Sequence, residues 1–165
     1  MIRKVIPEDS EEICRIYNHY IMNSVITFET ETVSDENMKV RIENISHKYP
    51  WIVYEDDGKI LGYAYATRWK ERQAYDLTAE CAIYVDKDAQ GKGIGTIMYS
   101  ELINECKISG LHLLIAGIAL PNDASIALHE KLGFVYTGKF SEVGKKLGRW
   151  VDVGYWILIN EVTSF

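Results

Sequence analysis

Six residues, Gln90-Gly91-Lys92-Gly93-Ile94-Gly95, have the types and spacing to hold a phosphate group. They follow a run of strand formers, Cys81-Ala82-Ile83-Tyr84-Val85, and precede a helical stretch from Thr96 to Ser109, so the glycines occupy a strand-to-helix turn. The first amides of a helix lack intrahelical partners and point outward at the positive end of its dipole, which suits a pyrophosphate. Side chains on the three glycines would keep an anion away from the backbone. Two commoner phosphate loops fail. A dinucleotide fingerprint beginning at Gly91 or Gly93 needs glycine where Thr96 or Met98 stands, and a P-loop needs Ser or Thr where Gly93 follows Lys92. Turn glycines with no ligand are the bland alternative.

The elements around this turn read as α/β. Ile2 to Val5 forms a short strand, and Pro7 to Asn23 a helix with Ile13, Ile16, Tyr17, Tyr20 and Ile21 on one face. Ser34 caps a second helix, with Asp35 and Glu36 in its first turn and Met38, Ile42 and Ile45 as its stripe. Val25 to Thr32, between them, is a candidate acceptor-side loop. Trp51 to Tyr54 and Ile60 to Thr67 flank Asp56-Asp57-Gly58-Lys59, the composition of a hairpin turn. The strand Thr78 to Val85, the glycine turn, its helix and the apolar run Leu111 to Ile118 make a parallel crossover, with Gly110 closing the helix. Gly133 ends a further helix. Phe134 to Tyr136 reads as a short strand and Val151 to Ile159 as a longer one. One domain over residues 1–165 is expected, without repeats or linkers.

Composition narrows the partners. The chain carries 18 basic and 24 acidic side chains, a formal charge of −6, which argues against nucleic acid but leaves room for an anionic ligand at a local positive site such as the loop amides with Lys87 and Lys92. No apolar run approaches bilayer length, and Arg3, Lys4, Glu8 and Asp9 interrupt any signal-peptide pattern, so a soluble cytoplasmic protein without a membrane partner is expected. Cys14, Cys81 and Cys106 are too scattered for a disulfide framework, and Cys81 reads as a buried thiol. His19, His47 and His112 give no metal-ligand spacing, and no metal site is expected.

Gln-x-x-Gly-x-Gly after a strand resembles the acetyl-coenzyme A loop of the GCN5-related N-acetyltransferases. Leu120-Pro121-Asn122-Asp123-Ala124-Ser125, running to His129-Glu130-Lys131-Leu132-Gly133-Phe134, resembles that family's later Asn-initiated helix. Tyr49-Pro50-Trp51, Ala74-Tyr75-Asp76 with Ala79-Glu80, and Gly148-Arg149-Trp150-Val151-Asp152-Val153-Gly154 are similar to the phosphinothricin or methionine sulfoximine acetyltransferase group. The likeness covers nearly the whole chain. It implies a mixed central sheet with helices on both faces, acetyl-coenzyme A as co-substrate, and acetylation of the α-amino group of a small amino-acid-like acceptor. Acetylation of a peptide amino terminus and a non-catalytic acetyl-coenzyme A module are the alternatives.

The resemblance also implies roles. Glu80 corresponds to a general base, the alternative being an exposed strand carboxylate; an α-amino group with a pKa near 7.7 to 8.0 needs only a modest base. His129 stands where many relatives of the wider family carry a tyrosine that protonates the departing thiolate; acid, relay and packed residue all remain open for it. Cofactor contacts are expected from Ile83, Tyr84 and Val85, from Gln90, Gly91, Lys92, Gly93, Ile94, Gly95 and Thr96, and from Asn122 and Ser125, which also suit a helix cap. A backbone N–H at Val85 or its neighbour, splayed by a bulge, would polarise the thioester carbonyl. Arg68, Lys70 and Arg72 form a basic cluster suited to a carboxylate or phosphinate, from which Arg72, beside Tyr75, would read the acceptor's carboxylate, and Phe28 and Glu29 would close the pocket. Lys145, Lys146 and Arg149 read as a solvated loop, with a dimer contact as the alternative. A homodimer is the expected assembly.

Overall fold

The apolar positions of seven strand segments and the stripes of four helices are satisfied together by a single seven-stranded sheet covered on both faces. The structure is a computed structural model, which describes residues 1–161; the last four residues of the expected domain lie outside it. In chain order the elements are β1 (Ile2–Lys4), α1 (Ser10–Asn23), α2 (Asp35–Ser46), β2 (Trp51–Asp56), β3 (Lys59–Arg68), β4 (Thr78–Val85), α3 (Ile94–Ile108), β5 (Leu113–Ala119), α4 (Asp123–Lys131), β6 (Val135–Lys146) and β7 (Arg149–Ile159). The sheet order is β1-β2-β3-β4-β5-β7-β6, and only β4 and β5 run parallel, as their helical crossover requires. No helix among the described residues is long and apolar enough to cross a membrane.

Alternation along the strands sends one set of side chains to each face. Trp51, Val53, Ile60 and Tyr63 meet α1 and α2 through Ile13, Ile16, Tyr17, Ile21, Met38 and Ile42. Ile52, Ala64, Ala66, Ala79 and Cys81 meet Met98, Tyr99, Leu102 and Cys106 of α3 on the other face. Met98, Leu102 and Cys106 recur at four-residue spacing and are fully buried, Met98 and Leu102 contributing about 1.5–3 kcal/mol each. Local signals hold where expected: Ser34 Oγ accepts the Asn37 N–H, Asp57 and Gly58 both take positive φ in the β2–β3 turn, and Gly110 does so after α3.

The C-terminal hairpin corrects the expected layout. The short strand at Phe134 to Tyr136 is the start of a twelve-residue strand, and Lys145, Lys146 and Arg149 belong to β6 and β7 rather than to a loop. Their turn, Leu147-Gly148, has positive φ at both residues. Two register shifts, at Tyr136/Gly138 and Phe140/Gly144, break the alternation that would have revealed β6.

Candidate active site

β4 and β5 pair only through Thr78↔Leu113, Ala79↔Leu114 and Glu80↔Ile115, then separate while each strand continues. The β3–β4 ladder runs unbroken to Gly62↔Val85, so the expected bulge at Val85 is absent and the opening is on the β5 side. Asp86 N–H donates to the Leu61 carbonyl, which fixes the alternation and turns the backbone N–H groups of Ile83 and Val85 toward the opening. Two adjoining cavities, of about 320 and 440 Å³, share Ile26, Ile83, Tyr84, Asn122 and Ser125 as walls.

The larger cavity is the phosphate side. Its wall includes Val85, Gln90, Gly91, Gly93, Ile94, Gly95 and Thr96, and it ends at the first turn of α3, where Ile97 N–H is the first to bond back, to Gly93. The amides of Ile94, Gly95 and Thr96 are therefore left for a ligand. Gly91 and Gly93 hold positive φ, with open space where a β-carbon would stand. Gln90 Nε2 donates to Tyr20 Oη at 2.9 Å, and the Tyr20 hydroxyl donates to the Val85 carbonyl, tying the loop to α1. Lys92 is exposed and lies outside this wall, and Lys87 is paired with Asp88.

The smaller cavity contains Glu80 and His129. Glu80 projects to the α1/α2 face beside Tyr65, with Tyr17, Thr27 and Phe28 above and Gly117 and Tyr155 opposite. No hydrogen bond holds its carboxylate among the described residues, and burial pushes its pKa up, against a smaller lowering by Lys70. Tyr65 is pushed up to about 12 by burial and by the Glu80 charge. A half-buried carboxyl raised in this way is a better base than an exposed one, so the exposed-carboxylate alternative does not describe Glu80.

His129 lines the same cavity from the α3/α4 side and is only 3% exposed. Its Nδ1 lies 2.7 Å from the Ser125 carbonyl, which can only accept, so Nδ1 carries the proton; Nε2 then accepts from the Tyr99 hydroxyl at 3.0 Å. Burial lowers its pKa, leaving a neutral ring with no N–H free for the cavity. Asn122 caps α4 by accepting the Ser125 N–H at 3.1 Å, and both residues line both cavities.

Three expected acceptor contacts fall elsewhere. Arg72 and Tyr75 are exposed around a short 3-10 turn and do not line the cavity. Both Glu29 oxygens are taken by Arg41, at 2.6 and 2.8 Å, and one also by the Tyr17 hydroxyl; these partners lower its pKa, and it braces the loop rather than facing the cavity. Phe28 does form part of the wall. Tyr17, Tyr65, Gly117 and Tyr155 are wall residues that the linear motifs missed. Tyr65 was recoverable from the β3–β4 pairing, since Tyr65↔Ala82 sets its side chain on the Glu80 face. Lys146, taken for a solvated residue, is buried, and its Nζ donates to the Thr27 carbonyl at 2.8 Å.

A split parallel pair, a helix N-terminus at one end and a half-buried carboxyl at the other define an acyl-coenzyme A-dependent transferase. A family profile described as an acetyltransferase (GNAT) domain matches residues 2–154. The chain is 39% identical over 155 residues to the phosphinothricin N-acetyltransferase of Streptomyces viridochromogenes, covering 94% of this chain and 85% of that one. It is 37% identical to the L-amino acid N-acyltransferase MnaT of Escherichia coli, covering 89% and 86%. The yncA protein of Salmonella typhimurium, solved with acetyl-CoA, superposes with a TM-score of 0.95 at 35% identity over 99% of this chain and 96% of that one. The chain belongs to the GNAT acetyltransferase family. It is an acetyl-CoA-dependent N-acetyltransferase.

Proposed function

We propose that the acceptor is a small amino-acid-like molecule of the phosphinothricin, methionine sulfone or methionine sulfoximine type, acetylated on its α-amino group with Glu80 as the base. The observation that carries this reading is the raised, unpaired Glu80 carboxyl facing a cavity of about 320 Å³ roofed by Thr27 and Phe28. That volume suits a small molecule, where a peptide amino terminus would need an open groove. The names of the Streptomyces viridochromogenes and Escherichia coli relatives point the same way.

The free amides at α3, the exposed backbone of Ile83 and Val85, and the joined cavities fit acetyl-coenzyme A, which when bound supplies the acetyl group as a thioester. Glu80 takes the first proton from the acceptor ammonium, directly or through one water. Ile83 and Val85 N–H groups donate to the carbonyl oxygen as charge develops there. The attacking nitrogen still holds one proton more than the amide keeps, and this proton leaves with the thiol. His129 then serves by position, holding Ser125 and the first turn of α4 against the groove. Lys70, exposed and outside the cavity wall, lies over the Trp69 ring at 5.0 Å, and that ring meets the wall residue Tyr155 edge-on. Lys70 is the cation whose field reaches Glu80, so the reading gives it the acceptor's carboxylate in place of Arg72.

A cytoplasmic homodimer completes the reading, supported by the exposed Phe140, Leu147 and Trp150 of the β6–β7 hairpin. The test is acceptor-dependent thiol release from acetyl-CoA across free amino acids, methionine sulfone, phosphinothricin, polyamines and short peptides. Preference for the sulfone or phosphinothricin is expected. Preference for peptides would replace this reading with amino-terminal acetylation.

A further inference from the structure

The acceptor cavity is roofed by a loop that belongs to one half of the molecule and is held down by the other. From the α1/α2 half, Tyr17 Oη lies 2.8 Å from Thr27 Oγ1, and Asn18 exchanges two hydrogen bonds with the backbone of Val33. From the far edge of the sheet, the end of β6 reaches the same loop. Lys146, 5% exposed, donates from Nζ to the Thr27 carbonyl at 2.8 Å, across 119 positions of sequence. Phe28 lies against Gly144 so closely that a β-carbon there would stand 2.7 Å from Phe28 Cζ.

The bulge explains how an edge strand gets there. Between Phe140↔Val153 and Gly144↔Val151 the register shifts, Glu142 takes φ +52, and its N–H is held by Asp152 Oδ1 at 2.8 Å. The strand bends at that point, which brings its last residues to the loop. A lysine ammonium is costly to bury, and the hydrogen bond to Thr27 offsets that cost only while the loop is closed.

We propose that Lys146 and Gly144 form a latch that holds the Thr27–Phe28 roof in its acceptor-binding position, making Lys146 a positioning residue for the acceptor. It touches neither cavity, so it acts through Thr27 and Phe28, which do line the acceptor side. A roof held only from α1 and α2 populates the closed form less, and apparent acceptor affinity falls by that fraction. Of the roof loop only Ile26 reaches the acetyl-CoA groove; its other walls come from Tyr20 of α1, β4, the glycine turn, α3 and α4, and stay in place.

The inference rests on the small-acceptor reading above, and one experiment separates the two. Steady-state kinetics with methionine sulfone, and calorimetry with acetyl-CoA, are run on the wild type, Lys146→Met and Gly144→Ala. Lys146→Met should raise acceptor KM about tenfold, the loss of one charge-assisted hydrogen bond, and Gly144→Ala should raise it by a similar factor by displacing Phe28, with kcat changed less and acetyl-CoA Kd unchanged in both. Gly144→Ala leaves the lysine in place and attacks the latch from the other contact, so it decides the matter if Lys146→Met does not fold. Acceptor KM within twofold of wild type, or an equal loss of acetyl-CoA affinity, would overturn the latch alone. A wild type that releases no thiol with any small amino acid would overturn the acceptor reading and the latch with it.

Discussion

Glu80 Oε1 lies 3.7 Å from the point where a β-carbon on Gly117 would stand, so the carboxyl on β4 has open space beside it because β5 carries no side chain at position 117. The same β-carbon would stand 3.2 Å from Tyr155 Cε1, tighter than ordinary contact. Gly117→Ala should therefore raise acceptor KM about tenfold by crowding Tyr155 and the carboxyl, with acetyl-CoA affinity kept. Parallel acceptor titrations and calorimetry check this; an unchanged KM would mean that the acceptor does not enter between these strands.

Gly95 tests the cofactor groove more cleanly than Gly93. Gly93 holds φ +78, so any side chain there is strained whether or not a ligand binds, whereas a β-carbon on Gly95 meets Leu128, Val85 and Ile83 at 3.7 to 3.9 Å, ordinary contacts. Gly95→Ala should fold at least as well as wild type, alanine being the better helix former by about 0.5–1 kcal/mol. Its methyl narrows the groove between β4 and α4, and acetyl-CoA Kd should rise at least about tenfold by calorimetry.

His129 predicts a stability effect with a defined sign. Its folded pKa is lowered from the ordinary 6.5 by burial, so the unfolded chain binds the proton first and the native state loses stability as pH falls through about 6.5. His129→Ala should be less stable than wild type at pH 7.5 by about 1–3 kcal/mol, since the buried Tyr99 hydroxyl loses its acceptor. Its melting temperature should also depend less on pH between about 5 and 7. Thermal melts across that range decide; a wild-type curve that is flat there would contradict a buried neutral ring.

The carboxylate reader is separable by charge. Lys70→Ala should raise KM for methionine sulfone far more than for its methyl ester, because the ester has no carboxylate to lose, while Arg72→Ala should affect both little. The reverse pattern would return the assignment to Arg72.

Most of the frame was legible because local chemistry and tertiary packing agree in it. The Gln90–Gly95 turn, the Asp57-Gly58 hairpin, the Ser34 cap and the α1 stripe each encode one conformation strongly. β6 was not legible beyond its start, because bulges and a polar, glycine-bearing sequence erase its alternation, and Lys146 then reads as one more surface lysine. Arg72 lies outside the cavity wall for a reason of the same kind. Proximity in sequence to Tyr75 and Glu80 says nothing about a turn that carries it away from the cavity. The state of His129 depends on a backbone carbonyl and a tyrosine 30 positions away, which no linear motif contains.

Glu80→Gln should cost activity without costing stability. The folded carboxyl has its pKa raised above the ordinary 4.5, so the unfolded chain releases its proton first, and wild type loses stability as pH rises from about 4.5 through the folded value. A neutral glutamine has no such loss. At pH 7.5 the variant should melt no lower than wild type, whereas a melting temperature several degrees lower would show that the carboxylate is held by favourable partners.

The most direct measurement is kcat/KM for methionine sulfone against pH, for wild type and Glu80→Gln, with acetyl-CoA saturating. If Glu80 accepts the proton, the variant falls about 10² to 10⁴ fold below wild type near neutrality. The deficit then shrinks as pH rises past about 8, where the acceptor amine is free base without help. Two profiles of the same shape and similar height would contradict the account, since proton removal would then not pass through this carboxylate.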